Sequence, residues 1–372
     1  MLSLPTPRLS FCLAAMLVVV IGCSDTNEDP AQPPELSGGA IGGPQSTGGM
    51  PTITPVSGTG PLVETTTDHF TFWAFGDNRS GPAVFAEIMT AAARDKPAFA
   101  LSLGDIIVGK PDAPVQGPDP NGSELDAYLT LAAKGEVPIF NAPGNHEMIA
   151  LVSYEGDDSP AECPNEKVQA SYQDKIAPLF GAFTFRNSRF IVLNTDDTPV
   201  TCVADDCPIC APCLSGDAPG SSDVWECSFL GDTQLQRLKD DLANNASTEH
   251  IVILMHYPLK PHKSQDRLAN PSFDALNGII TDHQNEYGNI KFVLASHEHE
   301  FYNPQDSDNF TTIDLDNADF PYYLVSGGAG APMSHLNDPK HPGEFYHYLV
   351  FNVDGSDISV SIERLADPSA PK

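Results

Sequence analysis

Six short, nearly continuous apolar runs, at residues 70–75, 99–103, 137–141, 190–194, 251–255 and 291–295, constrain the fold more than any other feature. Runs of this length bounded by turn residues are what strands buried on both faces look like. Helix-compatible stretches lie between several of them, among others at 82–94 and 232–244. Strands alternating with helices predict an α/β layered domain. The pattern closes differently: 345–353 and 357–364, joined by Asp354-Gly355-Ser356, predict a β-hairpin. Two stretches read as insertions, the Pro/Gly-rich 109–123 and the cysteine-rich 195–228.

Five of the runs end in residues that bind hard or borderline metal ions. Run 70–75 leads into Gly76-Asp77-Asn78-Arg79, run 99–103 into Gly104-Asp105, and run 137–141 through Ala142-Pro143 into Gly144-Asn145-His146-Glu147. Run 251–255 leads into His256, and run 291–295 into Ser296-His297-Glu298-His299. In open α/β sheets, ligand sites gather beyond the carboxyl ends of the strands, so ends spread along most of the chain can converge. Glycine ahead of Asp77, Asp105 and Asn145 permits the sharp exit that aims the next side chain inward. Taken singly, each piece has an ordinary explanation: Gly-Asp after a strand is a turn, and His-x-His recurs by chance. Their order, each behind a buried strand, points to one functional site.

The ordered set resembles the five signature blocks of the calcineurin-like metallophosphoesterases, the superfamily that includes the purple acid phosphatases, over residues 70–335. Gly-Asn-His-Glu is its most specific part. The resemblance implies a four-layer αββα sandwich with a dinuclear site that hydrolyses phosphate esters, monoesters ahead of diesters. Asp77, Asp105 and His299 would hold one ion; Asp105, Asn145, His256 and His297 would hold the other, with Asp105 bridging. His146 matches the substrate-facing histidine that assists the leaving group or steadies the phosphoryl oxygens. Ser326-Gly327-Gly328-Ala329-Gly330 is similar to a late glycine-rich turn of the family. The chemistry agrees: a carboxylate has lone pairs enough to bridge two cations, and two cations about 3.5–4 Å apart can deprotonate a water. Mixed Asp/Asn/His ligation suits Zn, Mn or Fe rather than calcium.

The match departs at two places. The histidine of the superfamily's Asp-x-His block is Arg79, which cannot ligate a metal, and the tyrosine that purple acid phosphatases supply is Val108. The first ion is left with three protein ligands. Arg79 has two readings, a forked contact to a phosphate oxygen in the site or a surface salt bridge. A catalytically inactive cell-surface binding protein on the same fold is the competing function.

A net charge of -31 disfavours nucleic-acid partners and anionic membrane surfaces. Arg8, the apolar stretch 11–21 and the ending Val20-Ile21-Gly22-Cys23 predict a bacterial lipoprotein signal peptide over 1–22, with Cys23 lipidated. A plain secretory signal is the alternative, and either exports the chain to the cell envelope, on its periplasmic or surface face. Residues 23–65, rich in Pro, Gly, Ser and Thr, predict a disordered tether to a membrane anchor, and 66–368 the catalytic domain. Beyond Cys12 in the signal, Cys163, Cys202, Cys207, Cys210, Cys213 and Cys227 predict three disulfides of open connectivity. Thiolate metal binding at 207–213 is the other reading. No nucleophile elbow, phosphate loop or His-Glu-x-x-His is present. The other histidines, at 69, 250, 262, 283 and 347, read as structural or surface residues; His335 and His341, after the glycine-rich turn, stay in reserve.

Overall fold

The alternation seen in the sequence becomes two mixed β-sheets packed face to face with helices outside. A computed structural model describes residues 48–62, 65–109, 119, 121–152, 161–197, 228–263, 266–268, 272–316 and 318–366. All lie in the unit Gln45–Lys372. Cys23, the signal peptide and nearly all of the cysteine-rich insertion fall outside the described residues.

In chain order the elements are β1 (His69–Phe75), α1 (Pro82–Asp95), β2 (Phe99–Ser102), α2 (Gly122–Ala132), β3 (Ile139–Asn141) and the short α3 (Asn145–Met148). Then come β4 (Ile149–Val152), β5 (Ala161–Pro164), α4 (Glu166–Lys175), β6 (Gly181–Phe185), β7 (Ser188–Val192) and α5 (Asp232–Asn244). The rest are β8 (His250–Leu254), α6 (Ser272–Tyr287), β9 (Ile290–Ala295), β10 (Phe301–Tyr302), β11 (Tyr322–Ser326), β12 (His347–Asp354) and β13 (Asp357–Arg364). One sheet runs β13-β12-β1-β2-β3, the other β10-β11-β9-β8-β7-β6, and β4-β5 form a separate hairpin. The site-bearing strands are parallel to their neighbours: β1 to β2, β2 to β3, and β8 to β9. The expected closing hairpin is β12-β13, turning at Asp354↔Asp357.

The runs are continuously apolar because each strand is covered twice. In β1, Phe72 and Ala74 face the other sheet, joining Phe99 and Phe140 of their own sheet and Phe183, Phe190 and Phe292 of the opposite one. Their neighbours Trp73 and Phe75 face outward against Val84, Phe85 and Ile88 of α1 and Tyr128 of α2. On the second sheet, Ile251 and Ile253 pack under Leu238 and Leu242 of α5 and Leu276 and Ile280 of α6. The result is the expected four-layer αββα sandwich. Aromatic contacts fill the space between the sheets: the Phe140 ring of one stacks on the Phe183 ring of the other, 3.6 Å apart at 6°. Phe99 meets Phe183 and Phe190 edge-on.

The expected tether to residue 65 requires correction, because its later part is built into the sandwich. Met50, Ile53 and Val56 are buried. Ile53 N–H donates to Ala182 O (3.1 Å), and Ala182 N–H to Pro51 O (2.8 Å), on the edge strand β6. A few residues on, Val56 N–H donates to Ile139 O (2.7 Å) and Gly60 N–H to Val137 O (3.0 Å), at the edge strand β3 of the other sheet. Residues 51–60 thus strap both sheet edges and satisfy backbone groups an open edge would leave unpaired. Composition misleads here because a strap needs main-chain hydrogen bonds more than apolar bulk.

Candidate metal centre

Parallel pairing delivers the ends of β1, β2 and β3, and of β8 and β9, to one edge of the sandwich. How each chain turns there differs from expectation. Gly104 does take a positive φ (97°), but at Gly76 and Gly144 no such φ occurs. The left-handed conformation falls on the ligand candidates themselves: Asp77 (φ 58°), Asp105 (56°), His297 (73°) and His299 (52°). Non-glycine residues are held there only where the surroundings over-determine them, as at functional sites. Gly144 serves close approach instead: a Cβ there would stand 2.4 Å from both the nitrogen and Oδ1 of Asp105.

His256 is fully buried at the heart of the cluster. Its Nδ1 lies 2.9 Å from Leu103 O and 2.9 Å from Ser296 Oγ. The carbonyl can only accept, so the neutral ring carries its proton on Nδ1 and presents a lone pair at Nε2. Around Nε2 stand Asn145 Oδ1 at 3.0 Å, His297 Nδ1 at 3.2 Å and Asp105 Oδ1 at 3.3 Å. A proton on His297 Nδ1 can satisfy one of these contacts. The carboxylate oxygen, the amide oxygen and Nε2 still turn lone pairs toward one point, which a cation among them would neutralise. Their spacing is what donors about 2.0–2.2 Å from one ion span. Asp105, Asn145, His256 and His297 therefore fit a borderline divalent ion.

The other half of the centre is built from Asp77, Asp105 and His299. Asp77 Oδ2 accepts from His297 N–H at 2.7 Å, while Oδ1 has no hydrogen-bond partner among the described residues. Oδ1 lies 3.7 Å from His299 Nε2, and His299 Nδ1 is held 3.0 Å from Pro332 O. Arg79 enters this half: its Nε donates to Asp105 Oδ2 (3.1 Å) and its Nη2 lies 3.3 Å from His299 Nε2. The ligand atoms of Asp77, Asp105 and His256 all lie within 4.8 Å of one another. Burial, and then the neighbouring Asp105, push the Asp77 carboxyl well up. Burial opposes ionisation at Asp105 too, but His146, His256, Arg79 and His297 together hold its carboxyl below the usual carboxylate range. Burial, then Arg79, push the His299 ring down to about 4.

His146 is buried beside the bridging carboxylate. Its N–H donates to Asp105 Oδ1 (3.2 Å), its ring Nδ1 bonds Val108 O, and its Nε2 lies 3.6 Å from Asp105 Oδ2. Val108, the second departure in the sequence, thus contributes its carbonyl while its side chain is 41% exposed. All eight candidates, Asp77, Arg79, Asp105, Asn145, His146, His256, His297 and His299, are brought together.

Two carboxylates that the sequence leaves without a role hold the centre in shape. Glu147, fully buried, accepts from Gly144 N–H (2.8 Å) and Asp105 N–H (2.9 Å) on Oε2, and from Ile106 N–H (2.9 Å) and Ile107 N–H (3.2 Å) on Oε1. Glu298 accepts from the backbone of His262 (2.9 Å) and Lys263, and burial pushes its carboxyl up to about 8. The only advance signal was their place inside Gly-Asn-His-Glu and His-Glu-His. His335 and His341, held in reserve, stack on each other (centroids 3.7 Å apart) beside Glu344 Oε1, at 3.1 and 3.8 Å.

An αββα sandwich with carboxylate, amide and imidazole donors converging at its strand ends defines a metal-dependent hydrolase. The sequence profile of the calcineurin-like phosphoesterases matches residues 70–301, and the chain belongs to that family. It is a metallophosphoesterase, a hydrolase of phosphate esters that uses divalent metal ions. Among solved structures, a dimetal phosphatase from Danio rerio is similar at 15% identity and TM-score 0.54, over 79% of this chain and 96% of that one. PhoD is similar at 13% identity and TM-score 0.49, over 83% and 73%. A metallophosphoesterase from Sphaerobacter thermophilus is similar at 12% and 0.35, over 81% and 89%. No curated protein gives a significant match.

Proposed function

We propose that this chain hydrolyses phosphate esters at the strand-end centre, monoesters ahead of diesters, on the outside of a bacterial membrane to which Cys23 anchors it. One observation carries the catalytic part: the His256 Nε2 lone pair faces Asn145 Oδ1, His297 Nδ1 and Asp105 Oδ1 at 3.0–3.3 Å, an arrangement that calls for a cation. A bound ion would supply Lewis-acid polarisation of the phosphoryl oxygens and a water acidic enough to attack near neutral pH. The protein's own residues do the rest. Asp105, its Oδ1 on one half and Oδ2 on the other, sets the spacing of the centre. His146, its Nδ1 tied to Val108 O, directs Nε2 inward, where the protonated ring can give a proton to the leaving oxygen. The expectation of a second ion at Asp77, Asp105 and His299 turns on Arg79. The monoester preference is supported by the resemblance to purple acid phosphatases and by the Danio rerio neighbour, a dimetal phosphatase.

The test is release of p-nitrophenol from mono- and bis-(p-nitrophenyl) phosphate by the chelator-stripped chain, with and without added Mn or Zn. Turnover restored by metal, faster on the monoester and lost in Asn145→Ala and His146→Ala, is expected. Folded protein without turnover on either ester would sink the enzymatic reading in favour of a binding protein.

A further inference from the structure

Arg79 touches two of the three donors expected to hold one of the two ions. We propose that its guanidinium replaces that ion: the centre holds a single tightly bound divalent ion among Asp105, Asn145, His256 and His297, with Arg79 as its second positive charge. The proposal rests on the metal-dependent reading above and departs from the family's two-ion arrangement.

The two halves of the centre are unequal. On the side of His256, four donors face one point. On the other side, Arg79 Nε binds Asp105 Oδ2 at 3.1 Å and Nη2 lies 3.3 Å from His299 Nε2, so the lone pairs a metal would use already face N–H donors. A guanidinium has no lone pair to offer a metal, so it cannot become a ligand, and its charge repels a divalent ion at this range. Asp77 Oδ1 is the donor left over, and one carboxylate oxygen is too few to hold an ion against that charge.

Arg79 is also pinned. Its backbone N–H donates to Asp105 O at 3.0 Å, and its side chain is only 19% exposed. The two contacts use two of its five N–H donors. The remainder of the planar fork suits a tetrahedral phosphoryl group, whose oxygens a guanidinium binds in parallel pairs. The substrate class that fits is therefore a phosphoryl group held between one ion and one guanidinium.

The experiment counts metal rather than turnover. The full chain, stripped with chelator and dialysed against excess Mn, would be assayed for metal per chain in the wild type, Arg79→Ala, Arg79→Gln and the double variant Arg79→Ala/His299→Ala. Each single Arg79 variant is expected to bind one ion more than the wild type, and the added His299→Ala to remove that ion. Electron paramagnetic resonance should show isolated Mn in the wild type and a coupled pair in Arg79→Ala. Equal metal content in the wild type and both Arg79 variants, each folded by circular dichroism, or a coupled pair in the wild type, overturns the proposal. His256→Ala separates this from the reading beneath it: one ion fewer than wild type upholds the metal centre, and an unchanged count removes both.

Discussion

Four of the six ligand candidates, Asp77, Asp105, His297 and His299, stand in left-handed backbone that neighbouring residues hold. Glu147 is the chief of these, gripping the turns after β2 and β3 through four backbone N–H groups. Glutamine in its place would turn an NH2 group toward two of those donors and lose the charge assistance. Hydrogen bonds to charged groups are worth about 1.5–3 kcal/mol each, so Glu147→Gln should cost about 3 kcal/mol in urea unfolding. It should also weaken metal binding, because Asp105 follows directly on the gripped turn. Gly144→Ala tests the same contact from the other side. Its Cβ would collide with Asp105, so turnover should fall at least tenfold while a small shift in melting temperature shows the core intact. Neither effect is visible in sequence, where Glu147 reads only as the end of a signature block and Gly144 only as a turn.

At the scale of elements, the strap 51–60 is the piece that composition hides. It joins the edge strands of both sheets and buries Ile53 in the inter-sheet core. Truncating a buried isoleucine to alanine costs 2–5 kcal/mol, so Ile53→Ala should destabilise by about 3 kcal/mol in chemical denaturation. A chain begun at residue 66 should unfold at lower denaturant than one begun at 45, and it should associate through its opened edges. Equal stability of the two would show the strap to be ornamental. The helices expected at 82–94 and 232–244 are α1 and α5, nearly residue for residue. Their apolar faces and flanking glycines suffice to place them locally. The tail of α3 and the β4-β5 hairpin give no such signal, since they are too short for a period to show.

For the whole molecule, pH should act through buried histidine as well as through the centre. His347, on β12, is fully buried, with Nδ1 2.8 Å from Phe345 O and Nε2 3.1 Å from Ser326 Oγ. Burial pushes its ring down to about 4. The unfolded chain takes up this proton near pH 6.5 and the folded one only near 4, so the unfolded state binds more protons between those values. Stability is therefore lost as pH falls from about 6.5 toward 4. Between pH 7 and 5 the loss from this one group is about 2 kcal/mol. His347→Gln, which cannot titrate, should show a pH dependence shallower by about that amount in urea unfolding. Identical slopes in both proteins would show that the ring titrates alike in the folded and unfolded states.

By itself the sequence determined what depends on residue type and short-range spacing. Apolar runs long enough for one strand, separated by helical stretches, dictate an α/β layered domain whose strands are covered on both faces. The order of Asp77, Asp105, Asn145, His256, His297 and His299 behind them dictates which strand ends carry the chemistry. Tertiary structure alone decided what arises between residues far apart in the chain. The left-handed turns at Asp77 and Asp105, the grip of Glu147, the strap over both edges and the seat of Arg79 between Asp105 and His299 belong to that class. Each depends on a backbone group or charge meeting a partner brought near only by folding, and no local pattern of residues encodes that meeting.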